Sequence, residues 1–155
     1  MKRAKILLVD DEVVFTNNVS RLLKTRGYRV TVVNSGDSAI KILEEENFDV
    51  VVLDLKMPGM DGITTLKELK KLGLFTETLI LTGHGAIDTA LEAIKLGAYD
   101  YLTKPCEIDG LVDKIEGAWE KKDEDEKEDI QKKISKAIES PRSVYSESRR
   151  KREKV

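Results

Sequence analysis

Five short apolar runs alternate with five segments of helical period, and that rhythm leaves few folds open. The runs cover residues 5–9, 28–33, 50–53, 78–81 and 99–102. The third run is apolar on both faces, as a central parallel strand must be. Between the runs, residues 12–26, 35–45, 62–72, 86–96 and 108–119 carry apolar side chains at helical spacing. The first of these carries Val14, Val19, Leu22 and Leu23 at helical spacing, and the second places Ala39, Ile40 and Leu43 inward. The last places Ile108, Leu111, Val112, Ile115 and Trp119 on one stripe. Gly27, Gly73 and Gly97 supply C-terminal stops, and Ser35 an N-terminal cap. Strands alternating one for one with helices predict an α/β protein, a doubly wound parallel sheet with right-handed crossovers.

In such a sheet, ligands bind outside the carboxyl ends of the strands. Asp54 ends the third apolar run, Asp10 and Asp11 end the first, and Lys104 follows the fifth. Three acids and a lysine are thus expected to converge on one pocket. Crowded carboxylates repel one another unless a cation sits among them, and an all-oxygen donor set suits Mg²⁺. With Mg²⁺ and Lys104 at hand, the charge of an incoming phosphoryl group is neutralised, which is most of what phosphoryl transfer requires. A carboxylate can itself be the nucleophile, and Asp54 is centrally placed for it. Thr82, at the end of the fourth run, offers a hydroxyl to a phosphoryl oxygen.

Blander roles exist for each residue. Asp10 and Asp11 suit the N-terminus of the first helix, Thr82 a strand end, and Tyr101 a half-buried strand position. None of these explains the acids and Lys104 together. Cys106, the only cysteine, reads as a packing residue; with a single histidine it makes no case for zinc or a disulfide. The net charge of −2 does not advertise nucleic-acid or membrane binding. No apolar run approaches the roughly 20 residues of a membrane span, and no leader pattern is read at the start, so a cytoplasmic protein is expected.

The blocks Asp10-Asp11, Asp54-Leu55-Lys56-Met57-Pro58-Gly59-Met60-Asp61-Gly62, Leu81-Thr82-Gly83-His84-Gly85 and Tyr101-Leu102-Thr103-Lys104-Pro105 together resemble a response-regulator receiver domain of two-component signalling. In motif detail the chain looks most like the receivers of sigma-54-dependent activators. The resemblance covers residues 4–119 and implies a flavodoxin-like fold with strand order 2-1-3-4-5. It implies that a histidine kinase phosphorylates Asp54, with a histidine phosphotransfer protein as the alternative partner. It implies Mg²⁺ held by Asp10, Asp11, Asp54 and the Lys56 carbonyl, with Lys104 pairing the phosphoryl group. Thr82 and Tyr101 are implied as the switch pair, and the Lys104–Pro105 bond as cis. Lys56 and His84 flank the pocket and are expected to tune hydrolysis toward a long-lived phosphoryl group. A protein target and a homodimer through the fourth-helix to fifth-helix face are further expectations.

The receiver is expected to span residues 1–119, with no catalytic turnover beyond its own phosphorylation and dephosphorylation. Residues 120–155 form a charged extension without the apolar content of a second domain. Ile130, Ile134 and Ile138 in it fit a prolonged last helix that docks on a partner, or a partly ordered solvated arm, the reading preferred on composition. The basic end is expected to be disordered rather than DNA-binding. A stand-alone switch is the first functional reading, with a phosphorelay intermediate as its variant. A phosphatase of the haloacid dehalogenase type is the rival from another class. It needs an acid two residues after the nucleophile, where this chain has Lys56. A DNA-binding regulator acting through the basic end is the third.

Overall fold

Strand β3 (Val50–Asp54) is buried at all five positions and sits between two neighbours in the middle of a sheet. The computed structural model describes residues 3–83 and 86–139. In chain order the elements are β1 (Lys5–Val9), α1 (Val13–Thr25), β2 (Arg29–Val33), α2 (Gly36–Glu45), β3, α3 (Gly62–Lys71), β4 (Glu77–Thr82), α4 (Ile87–Lys95), β5 (Asp100–Thr103) and α5 (Ile108–Glu139). All strand pairs are parallel, in the order β2-β1-β3-β4-β5. This is the doubly wound order expected from the resemblance.

The strands are apolar on both faces because both faces are covered. Leu7, Val9, Val51, Leu53 and Ile80 pack on one side against Ala39 and Leu43 of α2, Leu66 and Leu69 of α3, and Ala90 and Ala93 of α4. Ile6, Leu8, Val50, Val52, Leu79 and Leu81 pack on the other against Val19 and Leu23 of α1 and Leu111, Ile115 and Ala118 of α5. Each fully buried Leu or Ile contributes about 1.5–3 kcal/mol to this core.

The helix limits follow local chemistry. The Ser35 hydroxyl accepts from the Ser38 N–H at 3.1 Å, and the Asp61 carboxylate accepts from the Thr64 N–H at 2.8 Å. Gly27, Gly73 and Gly97 follow helices at φ of 92°, 67° and 106°, where any side chain is strained. Gly62 has another role: a Cβ there would run into the backbone of Asp54 and Leu55, so only glycine lets α3 start this close to the end of β3.

Two elements go beyond the sequence reading. Of the apolar residues at helical spacing in α1, Val14 and Leu22 are 75% and 41% exposed, whereas Thr16, Val19, Ser20 and Leu23 are buried and Phe15 packs on the core. Thr16 tolerates burial because its hydroxyl donates to the Val13 carbonyl at 3.0 Å. The last helix also does not stop near Trp119 but continues to Glu139.

The chain divides into two compact units, Met1–Lys122 and Asp123–Val155. The described part of the second, 123–139, is wholly helical, and Ile130, Ile134 and Ile138 are exposed on it. Asp123–Lys127 and Asp129–Lys133 form i,i+4 ion pairs at 2.9 and 3.0 Å. With the acid N-terminal to the base, such pairs support a helix by about 0.2–0.5 kcal/mol each. The basic C-terminal segment lies outside the described residues. No helix among the described residues is long and apolar enough to cross a membrane.

Candidate phosphoryl-acceptor site

The site is assembled at the carboxyl edge by the sheet register. Val9 pairs with Leu53 and Asp54 with Leu81, which sets the residues after β1 beside the end of β3. Two hydrogen bonds extend this edge: the Asp10 N–H donates to the Val33 carbonyl at 3.2 Å, and the Lys104 N–H to the Thr82 carbonyl at 2.7 Å. The Lys104–Pro105 peptide is cis.

Carboxylate oxygens of Asp10, Asp11 and Asp54 lie within 4.8 Å of one another. Asp10 and Asp54 are buried, and Asp11 is more open. Lys104 Nζ reaches Asp10 Oδ2 at 2.6 Å, Glu12 Oε1 at 3.5 Å and Asp54 Oδ2 at 3.8 Å. The other oxygen of Asp10 accepts from the Glu12 N–H at 3.0 Å, so Asp10 also serves the turn into α1. Asp54 Oδ1 takes a long contact of 3.4 Å from the Lys56 N–H.

These contacts leave the pocket short of positive charge. Burial, then the neighbouring Asp10 charge, pushes the Asp54 carboxyl up to about 6 against the pull of Lys104. Burial alone would lower the Lys104 ammonium, but its hydrogen bond to Asp10 and the charges of Asp54, Asp10 and Glu12 outweigh it and raise the pKa. Among the described residues, Asp11 has no ion-pair partner. Three converging oxygen donors, one open to solvent, fit a small divalent cation that keeps several waters.

The remaining predicted residues fall around this centre. Thr82 is fully buried at the end of β4, its hydroxyl turned to the Gly83 carbonyl at 3.3 Å. Tyr101 on β5 is half-buried and packs on the core cluster that contains Leu53 and Ile80. The Lys56 side chain is exposed. His84 lies outside the described residues. Cys106 packs half-buried on the other cluster, and burial raises its thiol pKa. Two residues were not singled out by sequence. Glu12 extends the acidic rim. Phe15 places its ring centroid 4.4 Å from Lys104 Nζ. The one signal for Phe15 was its i,i+4,i+8 register with Val19 and Leu23, which the competing Val14 and Leu22 obscured.

A five-stranded parallel sheet with an acid triad and a lysine at its switch-point edge is the arrangement of a receiver domain. Residues 6–116 match the model of the response regulator receiver domain, and the chain belongs to that family. It is 43% identical over 113 residues to the transcriptional regulatory protein ZraR of Escherichia coli (strain K12), covering 73% of this chain and 26% of that protein. The chain thus spans about a quarter of the length of the curated relatives it matches. A response regulator receiver domain protein from Clostridium thermocellum superposes with a TM-score of 0.74 at 38% identity, covering 78% of this chain and 98% of that one. The receiver domain of NtrX from Brucella abortus gives 0.71 at 36% identity, covering 74% and 98%.

Proposed function

We propose that this receiver accepts a phosphoryl group on Asp54 from a phosphohistidine of a sensor kinase or phosphotransfer protein in the cytoplasm. The observation that carries the reading is the convergence of Asp10, Asp11 and Asp54 oxygens within 4.8 Å beside Lys104. An Asp54 oxygen attacks phosphorus, the P–O bond forms as the P–N bond breaks, and the imidazole leaves with a proton from water. Asp10, Asp11, Asp54 and the Lys56 carbonyl would hold Mg²⁺, which neutralises phosphoryl oxygens. Lys104 turns from Asp10 toward the new phosphoryl oxygens, and the Thr82 hydroxyl leaves the Gly83 carbonyl to donate to them. Movement of Thr82 frees space on which the Tyr101 ring closes. To Lys56 and His84 we assign the tuning of hydrolysis toward a longer-lived acylphosphate.

The remodelled face then binds a protein target or a second copy. Exposed Ile87 and Leu91 on α4 support a docking role for that side. The reading holds whether these 155 residues act alone or within a longer chain. The position two after Asp54, where a haloacid dehalogenase places its general acid, is the exposed Lys56, which argues against phosphatase turnover.

The test is intact mass after incubation with Mg²⁺ and acetyl phosphate, beside Asp54→Asn. An adduct of one phosphoryl group on the parent, absent with EDTA and absent from the variant, is expected. An adduct that survives in Asp54→Asn overturns the assignment of the acceptor.

A further inference from the structure

We propose that Phe15 is a positioning residue for Lys104: its ring carries the ammonium as that charge passes from Asp10 to a phosphorylated Asp54. The inference rests on the acceptor reading above.

Lys104 Nζ is held by unequal contacts, 2.6 Å to Asp10 against 3.8 Å to Asp54, with Glu12 at 3.5 Å. Its side chain is only 13% exposed, so little water replaces a lost partner when the ammonium moves. The Phe15 ring lies against it, centroid at 4.4 Å. The face of an aromatic ring is negative and wide, so it attracts a cation over a range of lateral positions. An aliphatic side chain would cover the same surface and attract nothing.

The ring is also well anchored. Phe15 stands in register with Val19 and Leu23, which are buried in the cluster of Leu8, Val52 and Leu81, and Phe15 packs against that cluster. Its place in the first turn of α1 puts it at the carboxyl edge, where the stripe meets the acids. The core contact alone would be met by leucine. The ammonium over the ring is what leucine cannot supply.

The experiment uses the full chain with Phe15→Leu and Phe15→Tyr. Proton–carbon NMR of the lysine ε-methylene, assigned with Lys104→Arg, reads the ring current on Lys104. An upfield displacement in the parent and in Phe15→Tyr, lost in Phe15→Leu, is expected. The rate of phosphoryl acceptance from acetyl phosphate with Mg²⁺ should fall about two- to fivefold in Phe15→Leu, the worth of a partly exposed cation–π contact, and recover in Phe15→Tyr. Equal rates in all three proteins overturn the proposal and leave the acceptor reading intact. So does an equal fall in both variants, which would mark a packing role alone. If the parent accepts no phosphoryl group, the acceptor reading fails, and the lysine resonance still decides whether the ring holds Lys104.

Discussion

The two edges of the sheet hold similar numbers of charges and manage them in opposite ways. At the amino edge three acids each face a base. Glu46 pairs with Lys5 at 2.9 Å, Asp49 with Lys122 at 3.1 Å, and Glu77 with Lys121 at 3.3 Å. Asp49 also accepts from the Lys5 backbone N–H at 2.7 Å. At the carboxyl edge Lys104 faces Asp10, Glu12 and Asp54, and Asp11 stands beside them. Buried charge is tolerated when paired and costs stability when it is not. The amino edge is therefore arranged to hold the fold together, while the carboxyl edge gives up stability that the proposed cation and phosphoryl group would restore.

The contrast breaks most visibly on adding Mg²⁺. A ligand that binds the folded state a hundredfold above its Kd stabilises it by about 2.7 kcal/mol. The parent and Asp49→Ala should gain equally in melting temperature, because Asp49 lies at the other edge. Asp11→Asn should lose most of the gain. Equal gains in all three would place the cation elsewhere.

Asp54 provides the next test, in metal-free buffer. Its carboxyl is raised from 3.8 to about 6 by burial and by Asp10. A raised carboxylate opposes folding where it is ionised. The cost is absent below pH about 4, grows as pH rises, and is complete above about 6. Asp54→Asn should therefore be more stable than the parent by about 1–3 kcal/mol at pH 7, with the advantage vanishing toward pH 4. Urea melts across that range check the sign. A variant less stable than the parent at pH 7 would mean that Asp54 is compensated after all.

Asp49→Ala should move the other way. It removes the acceptor of the Lys5 N–H and one partner of the Lys122 ammonium, at a cost of about 1–2 kcal/mol. Phosphoryl acceptance should be unaffected. A drop in acceptance would show that the two edges are coupled through the sheet.

The carboxyl edge was largely legible in the sequence, and the amino edge was not. Asp10, Asp11, Asp54 and Lys104 each follow a strand, and parallel topology sends all such residues to one edge without any knowledge of pairing. The amino-edge pairs join residues 41 to 73 positions apart, such as Lys5 with Glu46 and Asp49 with Lys122, and no local pattern announces them. The buried face of α1 was not legible because Val14 and Leu22 offered one apolar stripe and Phe15, Val19 and Leu23 another. Buried Thr16 and Ser20 belong to the true one, and polar residues do not advertise burial. The prolonged α5 was weighed but not preferred because charge was read as a sign of disorder, whereas i,i+4 spacing of opposite charges favours helix.

Asp61 gives the smallest effect and sharpens the comparison, because it is an acid near the same edge that has a backbone partner. Its carboxylate accepts from the Thr64 N–H at the start of α3, and that bond lowers its pKa. Asp61→Ala should cost about 1 kcal/mol, as for other N-caps. A depressed carboxylate stabilises the fold above its unfolded pKa, and that stabilisation is lost as pH falls through the folded value. The difference between parent and variant should thus be flat from pH 7 to about 5 and shrink below about 4. Asp54→Asn also loses its effect toward acid pH but with the opposite sign, a gain that disappears rather than a loss. Mg²⁺ should leave the Asp61→Ala difference unchanged. If Mg²⁺ altered it, the acid satisfied by backbone and the acids awaiting a cation would not be separate classes, and the contrast between stored and compensated charge would fail within a single edge.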